Sequence, residues 1–116
     1  MAYKVLRAAA VEQDLELIFD FVAESAESLG ETAETAHDMA ARRIRAILDA
    51  MEGLGRAPHQ GTLRPELGAA TRHVTKDRAI FYFEVDDLGE ELRILAVFFG
   101  GQDHDRHILL RLLSRN

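Results

Sequence analysis

The sequence predicts an α+β domain: an N-terminal strand, an antiparallel helical hairpin packed on a small, mainly antiparallel sheet in the order β-α-α-β-β-β, and a short C-terminal helix. Three observations carry this expectation. Apolar residues recur at helical spacing through two long segments separated by a break at Gly30. Three later segments are rich in β-branched and aromatic residues and read as strands. Between these halves, residues 56–70 hold both prolines, Pro58 and Pro65, with Gly61 and Gly68, and read as loop.

Residues 3–7 alternate weakly and form the first strand. From 8 to about 28 the period changes, with Val11, Leu15, Ile18, Phe19 and Val22 on one stripe of an amphipathic helix. Leu17 and Phe21, four apart, fall off that stripe and make a second apolar strip. A neighbouring helix would cover such a strip, which is the expectation for a hairpin; a partner is the other possible cover. Residues 31–52 resume the helical period through Ala33, Ala36, Ala40, Ile44, Ile47, Leu48 and Met51, small residues first and large ones later. Gly53 and Gly55 end it, and the short Gly-containing connection makes the two helices antiparallel neighbours. Residues 71–75 look like an edge strand. Residues 79–85 and 92–99 are apolar on both faces, as central strands are, and the acidic, Gly-containing link between them fits a hairpin. Asp103 is placed to cap a last helix in which Ile108, Leu109, Leu112 and Leu113 share a face.

Composition sets the outer bounds. A chain of 116 residues with 47% hydrophobic and 29% charged residues makes one globular domain, residues 1–116, without repeats. The absence of cysteine excludes disulfides, thiolate zinc sites and a cysteine nucleophile. The longest apolar run, residues 94–99, is far shorter than the roughly 20 residues of a membrane span, and the first residues lack a leader pattern. A cytoplasmic protein with no membrane partner is expected. The net charge of −6 argues against a general nucleic-acid binder, so no direct nucleic-acid contact is expected either. All of the excess acid lies before residue 54, where five basic residues face eleven acidic ones. Residues 56–78 run the other way, with five basic residues against two acidic, which is a basic patch or a solubilising edge.

Few residues point to chemistry. His104 and His107, three apart and beside Asp103 and Asp105, echo metal-ligand spacing, but no third ligand is set by the sequence, and no metal is expected. Nucleotide loops, nucleophile elbows and dinucleotide fingerprints are absent, so no cofactor is expected. There remain Arg64, Arg72 and Arg78 with Tyr82 and His73. On a strand begun at Arg78, Ile80, Tyr82 and Glu84 would share a face, and Arg78 and Tyr82 would look into one concavity. Arginine and tyrosine can hold an RNA phosphate and stack a base, with His73 as the nearest group to protonate a leaving oxygen. The plainer reading pairs Arg72 and Arg78 with Asp77, Glu66 or backbone carbonyls.

Several segments resemble the ParE/RelE superfamily, the toxin subunits of bacterial type II toxin–antitoxin modules known as plasmid stabilisation proteins. Asp14-Leu15-Glu16 with Ile18, Phe19, Asp20, Phe21 and Val22 is similar to its first helix. Pro58, Gly61, Arg64-Pro65-Glu66-Leu67 and Arg72 are similar to its loop and second strand, Arg78 with Ile80-Phe81-Tyr82 and Val85 to the next strand, and Ile94-Leu95, Val97, Gly100 and Asp103 to the last strand and exit turn. The resemblance implies a helical hairpin on an antiparallel sheet and a growth-inhibiting toxin. A small, partly disordered antitoxin would wrap it, and Leu17, Phe21, Arg72, Arg78, Tyr82 and Phe99 are the implied contacts. It also separates two branches: ParE-like members that act on DNA gyrase without catalytic residues, and RelE-like members that cut ribosome-bound mRNA. Phe98-Phe99 stands where many relatives carry a polar His or Tyr, and Gln102 where they carry Arg, so the ParE-like branch is favoured. The alternatives are a ribosome-dependent endoribonuclease using Arg64, Arg72, His73, Arg78 and Tyr82, and a decayed toxin that retains only antitoxin binding.

Overall fold

The computed structural model describes residues 2–100 and 104–113, with the side chains of the last helix described from His107 onward. The chain runs β1 (Lys4–Arg7), α1 (Ala10–Ser28), α2 (Ala33–Gly53), a 3-10 turn (Leu54–Arg56), β2 (Thr62–Leu63), β3 (Thr71–Lys76), β4 (Ala79–Asp86), β5 (Glu91–Phe99) and α3 (His104–Leu113). The α+β class, the order of elements and the helical hairpin are those expected. Asp103, and the side chains of His104 and Asp105, lie outside the described residues.

The hairpin turns where its sequence demands. Gly30, at φ 104°, follows α1 and donates to Glu27, while Glu31 donates to Ala26. These two bonds close the helix end in a way that needs a left-handed residue, hence glycine. Thr32 then caps α2, its hydroxyl accepting from the Thr35 amide at 3.1 Å.

The five strands lie in the order β1-β5-β4-β3-β2, antiparallel except that β1 pairs parallel with β5. Two details correct the sequence reading. β3 is not the edge, because Thr62 and Leu63, inside the stretch read as loop, pair with His73 and Arg72. Arg78 is not on a strand. Asp77 and Arg78 both take positive φ, 50° and 66°, and form the two-residue turn from β3 to β4.

Both faces of the sheet are covered. On one, the hairpin packs Val11, Leu15, Ile18, Ile47 and Met51 against Phe81, Phe83, Leu92, Ile94 and Val97. On the other, Ile108 of α3 covers Tyr82, Leu95, Ala96 and Phe98, with Leu67, Ile80 and Leu112 around them. A bulge explains how β5 serves both faces, since Tyr82 pairs with Ala96 but Phe83 with Ile94, leaving Leu95 as the extra residue. The bulge resets the alternation, so Ile94 and Val97, three apart, both face the hairpin while Leu95 and Ala96 both face α3. Within α3, Ile108 and Leu112 face the sheet; Leu109 and Leu113, expected on the same face, are exposed.

At the β4–β5 turn, Asp87 Oδ1 accepts from the Tyr3 hydroxyl at 2.8 Å and lies 2.7 Å from His59 Nε2, tying the N-terminus and the 57–61 loop to the hairpin tip. The Tyr3 bond, then the His59 bond, hold the Asp87 carboxyl below its ordinary pKa, and the same bond to Asp87 raises that of Tyr3. The Asp87 contribution is therefore complete above the unfolded carboxylate value of about 3.9 and lost as pH falls through the lower folded value. The Tyr3 contribution is complete below about pH 10 and lost as pH rises through the raised folded value. In a carbon NMR titration Asp87 should protonate below a model aspartate, and Tyr3→Phe should move its midpoint upward. An ordinary midpoint in the unaltered protein would disprove the clamp.

Candidate functional site

The candidate site is a cleft of about 190 Å³ between α1, the outer end of β5 and α3, lined by Asp14, Leu17, Ile18, Phe21, Val97, Phe98, Phe99, His107 and Arg111. It exists because β1 is short. β1 pairs with β5 only as far as Ile94, so among the described residues the remainder of that strand edge has no strand beside it. An open edge needs its polar groups satisfied. Here Asp14 Oδ2 accepts from the Val97 amide at 3.1 Å, and Arg111 Nη1 donates to the Leu95 carbonyl at 3.2 Å. The two side chains also pair in a bidentate fork, at 2.7 and 2.6 Å, with Asp14 buried. The Asp14 hydrogen bond raises the Arg111 pKa against the opposing effect of burial.

Leu17 and Phe21 are not covered by the second helix, contrary to the packing expected of the hairpin. They keep 58% and 55% of their surface exposed, beside the cleft. The reason is geometric: α2 packs along the Val11–Ile18 stripe, and Leu17 and Phe21 project toward the β5 edge, where Phe21 meets Phe99 edge-on with ring centroids 6.3 Å apart.

The residues singled out for chemistry divide between the two sides of the sheet. Arg64, His73 and Tyr82 come together on the α3 side. Arg64 Nη1 is 3.3 Å from His73 Nδ1 and donates to the Tyr82 hydroxyl at 3.4 Å, while its Nε donates to Glu66 at 2.7 Å. Tyr82 is fully buried, between His73 on one side and Phe98 on the other. Arg72, next to His73 on the strand, points to the opposite side and donates to the His59 carbonyl at 2.7 Å. Arg78 sits exposed in the β3–β4 turn, so it shares no concavity with Tyr82. Among the described residues no group of three metal-ligating side chains occurs. Also among the described residues, no helix is long and apolar enough to cross a membrane.

Comparison with solved structures gives the arrangement its context. The chain has the fold found in the RelBE2 and ParDE complexes. A chain of the toxin–antitoxin complex RelBE2 from Mycobacterium tuberculosis superposes with a TM-score of 0.60 at 20% identity, covering 86% of this chain and 100% of that one. A chain of the chromosomal ParDE system from P. aeruginosa superposes with a TM-score of 0.62 at 20% identity, covering 84% and 96%. No protein-family model and no curated protein matches the sequence. The two likenesses are of nearly equal strength, and at 20% identity each shows the fold alone.

Asp14 and Arg111 were not evident as a pair in the sequence. They are 97 residues apart, and each alone is an ordinary helix-surface residue. A polar Asp14 one position before the apolar Leu15 gives no sign of burial, because what buries it is an unpaired strand edge that only the tertiary fold creates.

Proposed function

We propose that the chain is the toxin subunit of a type II toxin–antitoxin module, neutralised by a cognate antitoxin whose segment lies in the Leu17–Phe21–Phe99 cleft, and that it acts without catalysis on DNA gyrase in the ParE manner. The fold shared with RelBE2 and ParDE chains supports the toxin reading. The observation that carries the non-catalytic form is the dispersal of Arg72 and Arg78 away from Arg64 and His73, with Tyr82 sealed in the core. Acid–base chemistry needs its groups converging on one reacting atom, within hydrogen-bond reach of it. Induced expression in a susceptible host, with and without the small neighbouring reading frame, tests the proposal. Growth arrest with DNA-damage signalling, relieved by the neighbour, is the expected result; arrest with loss of translation and intact DNA would overturn the gyrase assignment.

The contact of Arg64 with His73 and Tyr82 favours the second reading, a ribosome-dependent ribonuclease, whose signature is that loss of translation. The cleft itself is tested by Phe21→Glu. Because Phe21 is more than half exposed, this variant should retain its folded signal while antitoxin affinity falls about 100-fold, the size of an aromatic hot spot. Unaltered affinity in titration calorimetry would remove Phe21 from the interface.

A further inference from the structure

The hairpin carries a second groove, on the side of α1 turned away from Leu17 and Phe21. Its volume is about 410 Å³, and it shares no lining residue with the cleft. Leu15, Phe19, Ile44 and Leu48 make its floor; Leu15 is buried and the other three keep part of their surface. Phe19 stands on the stripe expected to face the core, yet it packs edge-on against the exposed His37, with ring centroids 5.1 Å apart. Ile44 and Leu48 touch the core only at its border. The α1 wall of the groove is acidic, since Glu12, Glu16 and Asp20 follow one another at four-residue intervals and all are exposed. Like charges at that spacing oppose one another along a helix, and α1 holds six acidic residues and no basic one. Glu12 is paired with Arg7 at 2.9 Å. Glu16 and Asp20 have no cation within ion-pair distance among the described residues.

An apolar floor with two unmatched carboxylates along one wall defines what fits it. We infer that this groove receives a basic amphipathic helix of a partner protein, laid along the hairpin as the third helix of a bundle. Its apolar side chains would rest on Phe19, Ile44 and Leu48, and its cations on Glu16 and Asp20. The spacing favours a helix. Glu16 and Asp20 are about 6 Å apart along α1, four residues at about 1.5 Å each, and cations at i and i+4 of an aligned helix repeat at the same distance. Helices pack with their axes about 8–10 Å apart, which sets the partner's apolar ridge between α1 and α2. Arg45, exposed beside Ile44, keeps the partner's cations to the α1 side. A second copy of the chain fits less well, because each copy carries a net charge of −6 and its α1 has no cation to offer. A small polyamine would leave the apolar floor uncovered. The cleft and the groove share no residue, so both can be filled at once, and the assignment does not depend on what fills the cleft.

The test uses two designed helical peptides of about 18 residues, five turns, with the same leucine face. One carries lysines at i and i+4 beside that face, and the other carries glutamates there. Each is titrated into the folded full chain by fluorescence anisotropy, with backbone chemical shifts recorded in parallel. The lysine peptide should bind and the glutamate peptide should not, and the shift changes should centre on Phe19, Ile44 and Leu48. Glu16→Gln/Asp20→Asn, at two exposed positions, should weaken binding about tenfold. Glu27→Gln/Glu31→Gln removes the same charge from the exposed hairpin tip and should alter affinity by less than about twofold. Equal losses in the two variants would mean general attraction to an acidic protein and would overturn the site. Equal binding of both peptides, shift changes centred elsewhere, or no saturable binding up to about 1 mM would overturn it as well. Dimerisation of the chain alone, with shift changes at the same three residues, would assign the groove to a second copy instead.

Discussion

Asp14→Ala is expected to destabilise the protein by about 3 kcal/mol, because breaking a buried ion pair leaves the remaining charge uncompensated. The loss is compound. Arg111 keeps the Leu95 carbonyl but loses both carboxylate contacts, and the Val97 amide loses its acceptor on a strand edge that β1 does not reach. Against a typical stability of 5–15 kcal/mol, about 3 kcal/mol corresponds to a fall of about 10 °C in Tm for a domain of this length. Arg111→Ala should cost a similar amount, since it leaves the buried Asp14 carboxylate with the Val97 amide but without its countercharge, whereas the guanidinium left by Asp14→Ala is 27% exposed. Replacing both by apolar residues of similar volume should recover much of the loss. Thermal unfolding of the three variants decides the matter; an Asp14→Ala variant with unaltered Tm would mean that the fork does not hold α3 to the sheet.

Tyr82→Ala is expected to have the largest effect, about 4 kcal/mol, through the cavity left beneath α3. Tyr82 has no exposed surface and stands between His73, Phe98 and the Arg64 guanidinium. Tyr82→Phe keeps that volume and removes the hydroxyl that accepts from Arg64, so it should cost about 1 kcal/mol. The conservative variant also separates the two functional readings. If the toxin is non-catalytic, the Tyr82→Phe variant should arrest growth as strongly as the unaltered protein, measured in the same induced-expression assay. Arrest abolished by Tyr82→Phe, with Tm unaltered, would make the hydroxyl a catalytic group and favour the ribonuclease.

Much of the architecture was legible because it depends on local periodicity. The α1 stripe from Val11 to Val22, the break at Gly30 and the doubly apolar β4 and β5 each state their element within a few residues. What stayed hidden depends on neighbours that are distant in sequence. Thr62 and Leu63 are a strand only because His73 and Arg72 lie opposite them, and nothing in two residues amid prolines and glycines signals that pairing. The bulge at Leu95 is similarly silent, since an apolar run carries no mark of where its alternation resets. Of the site, Leu17 and Phe21 were visible as a strip off the main stripe, but their exposure follows from where α2 packs. Arg72 and His73 illustrate the converse limit. Adjacent strand residues face opposite ways, so a basic cluster in the sequence is divided between the two sides of the sheet by the pleat alone.

The pairing of β1 with β5 sets an order of events during synthesis. Lys4 to Arg7 are made before every other element of this domain, yet their partners, Glu91 to Ile94, emerge only after two helices and three other strands. Until then β1 has no strand to join, and the apolar stripes of α1 and α2 have only each other to pack against. The helical hairpin, whose contacts are local, can form while the ribosome is still making the sheet. Closure of the domain then waits for Ile94, and a chain cut short before β5 lacks the strand that joins β1 to the rest of the sheet.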